Sequence, residues 1–280
     1  MAIAATFAEY ARPDPQPGQL IVTLYGLYGR DESNWLSVAA LVRLMGELGV
    51  DSQAVRSSVS RLKRRDTLRS LAVAGSAGYS LSPAALEVLR DGDARIFRAR
   101  RAVLADGWAV VVFSVPESER ERRHELRTQL SRLGFGTAAP GVWVAPAQLA
   151  RETARVLART GLDRYVDMFR ADHLGFAGLA VKVAQWWDLD ELAAQSAAFT
   201  ALYRPVADRL ARRTASDAEA FRQYVPMLTT WRRLPYLDPG LPLELLPAGW
   251  SGEAATELFA ELNEALREPA RRHAMAVIHA

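Results

Sequence analysis

Two capped helices separated by a glycine stop, and then a hairpin of small residues, constrain what this chain can become between Ser37 and Leu81. Ser37 is placed to cap a helix over 38–48, whose Val38, Leu41, Val42 and Met45 form one apolar face. Gly49 ends it, and Asp51 can accept the free amides of a second helix, from 52 to about 65. There Val55, Val59 and Leu62 recur at i, i+4 and i+7, so they must turn inward. Gln53, Arg56, Ser57, Ser60, Arg61 and Arg64 are left facing outward. Next, 68–73 and 79–81 read as short strands around Ala74-Gly75-Ser76-Ala77-Gly78, small residues suited to a tight turn. The order predicts a winged helix-turn-helix with 52–65 as its reading helix.

Charge is distributed to match. The net charge is only +3, yet 51–70 carries six basic residues, Arg56, Arg61, Lys63, Arg64, Arg65 and Arg69, against Asp51 and Asp66. By contrast, 183–280 carries ten arginines against thirteen acids. The first stretch seeks phosphate and the second does not. Gln53 and Arg56, at the N-terminal end of the helix, are the candidates for base contacts, with Ser57 and Ser60 on the same face. Arg61, Lys63 and Arg64 are candidates for phosphates, and Arg69 for backbone or minor groove beside the wing.

Half of the 280 residues are apolar, enough for two or three packed units. Pro13, Pro15 and Pro17 predict an extended arm over 1–18, with folding from about Leu20. The winged helix is expected over 19–90 and a basic linker over 91–106, whose Arg95, Arg98, Arg100 and Arg101 serve either phosphates or salt bridges. At Gly107 the character changes. Trp108 to Val115 reads as one apolar strand, a polar helix follows over 118–133, then a turn at Gly134-Phe135-Gly136, a strand over 141–144, a helix over 147–160 and a strand over 165–169. That is the ferredoxin-like βαββαβ order, expected over 107–180. The remainder, 181–280, reads as a helical domain crossed by an irregular stretch, 234–250, punctuated by Pro235, Pro239, Pro242 and Pro247. The fold class is therefore α+β, in several domains.

The chain resembles the PaaX family. The head motifs are Leu24-Tyr25-Gly26-Leu27-Tyr28, Trp35-Leu36, Val55-Arg56-Ser57-Ser58-Val59-Ser60-Arg61-Leu62 and Tyr79-Ser80-Leu81. The body adds the strand from Trp108 to Pro116, Arg123 with Leu126-Arg127, Gly134-Phe135-Gly136 and Pro140-Gly141-Val142-Trp143. Asp238-Pro239-Gly240-Leu241-Pro242, Leu246-Pro247 and Trp250-Ser251-Gly252 continue the likeness, in order, to the C-terminus. The resemblance implies a GntR-like winged helix, a central domain similar to Cas2, and a helical C-terminal domain. It also implies a homodimeric repressor on a double-stranded operator, released by an acyl-CoA such as phenylacetyl-CoA and controlling aromatic catabolism.

An acyl-CoA brings phosphates that pair with arginine and an acyl group that takes an apolar pocket, so Trp231, Arg232 and Arg233 are the candidate ligand site. No catalytic or metal-ligating residue and no cofactor is assigned. Cysteine is absent, and His124, His173, His273 and His279 show no metal-binding spacing. A Cas2-like nuclease needs an acidic residue on its first strand, and Trp108-Ala109-Val110-Val111-Val112-Phe113-Ser114-Val115 has none. An adaptor that binds nucleic acid or protein without an operator is the first alternative, and a Cas2-like metal-dependent nuclease the less favoured one. No apolar run approaches the ~18 residues of a spanning helix, and Met1 to Tyr10 lacks a signal peptide's basic start, so a cytoplasmic protein without membrane partners is expected.

Overall fold

A computed structural model describes residues 15–97, 100–175 and 177–280. The expected arm lies mostly outside the described residues, except that helix α1, Pro17–Leu24, begins on its last proline rather than at Leu20. Proline at the first helical position forfeits only an amide that has no partner there anyway. Packing gathers the chain into two compact units, each built from separated stretches.

The first unit runs to Asp93 and adds Phe199–Arg233 and Ala255–Ala280. Helix α1 continues as a π-helical turn, Tyr25–Gly29. Gly29 is needed there, because a Cβ would stand 2.7 Å from the Tyr25 ring. A three-residue strand, β1 (Trp35–Ser37), leads into α2 (Val38–Glu47), whose first turn Ser37 caps through the Ala40 amide. Gly49, at φ +77°, turns the chain into α3, Ser52–Arg64. Strands β2 (Leu68–Val73) and β3 (Ser76–Leu81) form the hairpin, and β1 pairs with β3, giving the antiparallel order β1-β3-β2. Sequence periodicity misses β1, since three residues are too few to show alternation. Helix α4, Pro83–Phe97, follows, with Ser82 capping it through the Ala85 amide.

Buried Leu20, Ile21, Leu24, Leu41, Leu44, Val55, Val59 and Leu62 form the core of the helical part. The C-terminal stretches of this unit complete it. Helix α8 spans Leu189–Leu210 and enters the unit at Phe199. Helix α9, Asp217–Trp231, lies against α1, with Phe221 6.2 Å from Tyr28 and the Thr229 hydroxyl 2.8 Å from that of Thr23. Most of α11, Ser251–His279, belongs here too, and it reaches α2 through His273 to Glu47 at 2.6 Å and the Arg43 guanidinium to the Val277 carbonyl at 3.0 Å.

The second unit is Ala94–Ala198 with Leu234–Ala254. Its strands are β4 (Trp108–Phe113), β5 (Gly136–Ala139), β6 (Val142–Pro146) and β7 (Val166–Ala171). Helices α5 (Arg120–Arg132) and α6 (Ala150–Thr160) connect them in the expected βαββαβ order. The sheet order β5-β6-β4-β7, antiparallel throughout, is that of two interleaved βαβ halves. Ala109, Val111, Trp143 and Ala145 face Leu126, Leu130 and Leu157 on α5 and α6. Trp108 and Val144 face the other way, onto Val183 of α7 (Leu179–Trp186), then Trp187, Leu189, Leu192, Leu241, Leu245 and Trp250. Both faces are covered along most of β4, Val112 alone standing exposed, and the strand accordingly reads as unbroken apolar sequence.

The proline-punctuated stretch packs across α7 and the start of α8 in this same cluster, with a short helix α10, Leu234–Leu237, at its start. Arg95 and Arg101 hold it. The buried Arg95 guanidinium donates to the carbonyls of Pro235 and Leu133, both at 2.8 Å, and Arg101 meets Asp238 at 2.8 Å. These two arginines of the basic run therefore serve packing; Arg100 stays exposed and Arg98 lies outside the described residues. In Gly134-Phe135-Gly136, Gly134 supplies the turn at φ +86° and Gly136 leaves room for the Trp187 ring, whose Nε1 donates to the Gly134 carbonyl.

Candidate nucleic-acid interface

Helix α3 is positioned from its start by Asp51, whose carboxylate accepts from the amides of Gln53 at 2.8 Å and Ala54 at 2.9 Å. Val55, Ser58, Val59 and Leu62 are buried, so the rest of the helix has its facing decided. Gln53, Arg56, Ser57, Ser60, Arg61, Lys63 and Arg64 are all exposed, brought together on the outward side as the spacing predicted. Arg56 donates to Ser52 at 3.1 Å and Arg61 to Ser58 at 2.9 Å, while the Lys63 ammonium lies 5.9 Å from the centre of the Tyr79 ring. Hydroxyls and a ring hold these cations in place without cancelling their charge, and a cationic row so arranged attracts a polyanion.

Arg69 is different. It grips Asp66 in a two-pronged pair at 2.8 Å for both bonds, and the guanidinium holds the Asp66 carboxyl below the usual carboxylate range. Its charge is thus offset where it stands, on the exposed face of β2.

The hairpin turns at Ala74 (φ +48°) and Gly75 (φ +81°), between Val73 and Ser76, the two-residue loop whose twist suits antiparallel strands. Apart from Leu68 and the inner end of β3 the hairpin is exposed, including Leu71, Val73, Ser76 and Ala77. Trp35 fixes it at its base. The indole Nε1 donates to the Leu71 carbonyl at 3.0 Å, and the ring lies so close over Gly78 that a Cβ there would meet it at 2.4 Å. From the other side the Tyr25 hydroxyl donates to the Tyr79 carbonyl at 2.8 Å. Neither role shows in the sequence, where Trp35 and Gly78 are 43 residues apart in number and carry no joint pattern.

Trp231, Arg232 and Arg233, neighbours in the chain, differ in their surroundings. Trp231 is buried, stacked on Phe259 with ring centres 4.3 Å apart. Arg232 is buried and donates to the Gln19 carbonyl at 3.3 Å. Arg233 is half-buried, and that burial lowers its pKa. Among the described residues no group of three or more His, Asp or Glu side chains is placed to hold a metal ion, and no helix is long and apolar enough to cross a membrane.

Comparison with known proteins agrees with this architecture. The family model described as "PaaX-like protein" matches residues 16–85, that of the PaaX protein central Cas2-like domain 101–182, and that of the PaaX-like protein C-terminal domain 187–276. The transcriptional repressor PaaX of Escherichia coli (strain K12) is 29% identical over 262 residues, covering 90% of this chain and 82% of the repressor. An uncharacterized protein from Mycobacterium tuberculosis shares the fold, with a TM-score of 0.56 and 22% identity over 91% of this chain and 97% of that one. Three family models in order along one chain, with a full-length relative beside them, establish that this protein belongs to the PaaX family of regulators.

Proposed function

We propose that this protein is a transcriptional repressor that reads operator DNA through a winged helix-turn-helix, with α3 as the reading helix and the β2–β3 hairpin as the wing. The observation that carries the reading is the outward row on α3, Gln53, Arg56, Ser57, Ser60, Arg61, Lys63 and Arg64, whose cations pair with no carboxylate among the described residues. The E. coli relative's description as a transcriptional repressor supports it. Gln53 and Arg56 make base contacts, and Arg61, Lys63 and Arg64 meet phosphates. Arg69, offset by Asp66, adds orientation of the wing more than charge.

The protein acts in the cytoplasm as a homodimer, two heads matching two half-sites of a near-palindromic operator in genes of aromatic catabolism. An acyl-CoA, phenylacetyl-CoA being the first to try, favours a geometry that no longer fits the operator, so ligand and DNA weaken each other reciprocally. No catalytic step and no cofactor is assigned.

The test is binding of labelled DNA from the region upstream of the gene, at stated salt, with and without a panel of acyl-CoA compounds. Tight, competitor-resistant binding that one CoA ester weakens is the expected result. Binding that is only nonspecific and indifferent to every ester overturns the proposal in favour of an adaptor.

A further inference from the structure

Away from α3, the first unit carries a cleft of about 220 Å³ where α8 ends and α9 begins. Apolar Val206 and Leu210 line it together with Arg209, Arg213, Arg222 and Glu219. Arg213 and Glu219 are a matched pair, joined at 2.8 and 3.1 Å, so their charges cancel. Arg209 and Arg222 are exposed, and among the described residues neither guanidinium has a carboxylate partner.

Two features make this arrangement unlike an ordinary solvated surface. The chain from 183 onward is acidic overall, ten arginines against thirteen acids, yet three of those arginines border one small cleft. Two cations without carboxylate partners beside one concavity offer a place for an anion between them. Guanidinium forks match phosphate oxygens in geometry, and phosphate is the anion whose charge two free arginines balance. The volume is below the range of about 300–1,000 Å³ that encloses a whole drug-sized ligand, so the cleft suits the phosphate end of a larger molecule.

We propose that this cleft binds the phosphate or diphosphate group of a small organic phosphate and anchors the effector, which rests on the ligand-responsive repressor reading above. Its position supplies a route to the head. Arg222 is on α9 next to Phe221, which packs at 6.2 Å on Tyr28, and the same helix bonds α1 through Thr229 and Thr23. Helix α1 in turn lies against α3. An anion that draws Arg222 toward Arg209 thus loads the helix on which the reading head is seated.

The experiment is calorimetric titration of the full chain with pyrophosphate and, separately, with adenosine 3′,5′-bisphosphate, at ionic strength held constant with sodium chloride. The double variant Arg209→Gln/Arg222→Gln is run in parallel, with melting temperature as the folding control and ligand-free operator binding measured beside it. Saturable binding to the natural chain, at least tenfold weaker in the variant, is expected. Preference for the bisphosphate assigns an organic phosphate, and preference for pyrophosphate assigns a free one. Equal binding by both proteins, or none by either, overturns the site even if operator DNA is bound and released by an acyl-CoA. Arginine-dependent binding by a chain that ignores operator DNA upholds the site and removes the repressor.

Discussion

Charge that is held but not cancelled distinguishes Arg56, Arg61 and Lys63 from Arg69, although all four are exposed. The difference sets distinct outcomes on mutation. Arg56→Ala is expected to cost about 1–3 kcal/mol of operator affinity and to relax discrimination at one base position, whereas Lys63→Ala weakens all sequences alike and lowers the salt slope by about one. Binding isotherms on operator and scrambled DNA across a salt series separate the two. Asp66→Asn removes the partner that offsets Arg69, so it should strengthen nonspecific binding in the same assay.

At the same scale, Glu219 can be followed by pH. Hydrogen bonds from the Arg213 guanidinium and the Ser216 backbone hold its carboxyl at about 2 rather than 4.5. A depressed folded value means that its contribution to stability is complete above about 4.5 and is lost as pH falls toward 2. Side-chain NMR titration of the folded protein should show Glu219 still ionised at pH 3, and a midpoint near 4.5 would remove the Arg213 pairing from the account of the cleft.

Elements depend on how their ends are tied. The α3 cap is local, so Asp51→Ala should cost about 1 kcal/mol in urea unfolding and fray the end that carries Gln53 and Arg56. The hairpin is tied by a contact between strands. Gly78→Ala forces its new Cβ into the Trp35 ring and the Leu36 carbonyl, a clash with backbone that cannot relax cheaply. A loss of about 1–3 kcal/mol follows, with weaker operator binding because the wing leaves its angle. Unchanged melting in Gly78→Ala would mean that Trp35 does not clamp the hairpin.

For the whole molecule, the reading head is not completed by its own stretch of chain. Thr229 reaches Thr23 across 206 residues and His273 reaches Glu47 across 226, so α9 and α11 are part of the unit that holds α3. A chain ending at Ala254 is accordingly expected to lose hydrogen-exchange protection in α1 and α2 as well as operator affinity. Full protection in that truncation would show that α11 is dispensable to the head.

Features that depend on neighbours in sequence were legible from the residues alone. They include the Ser37 and Asp51 caps, the Val55-Val59-Leu62 stripe that turns the cations outward, the small-residue hairpin, and the strand and helix order after Gly107. Each arises from a period or cap completed within a few residues. What tertiary structure alone decided is which distant segments share a core. It seated Trp231 against Phe259, assigned Arg95 and Arg101 to the proline-rich stretch, set Trp35 over Gly78, and brought Arg209 and Arg222 to one cleft. An arginine reads the same in sequence whether it meets phosphate, a carbonyl or a carboxylate, because its partner is chosen by the packing of chain far away.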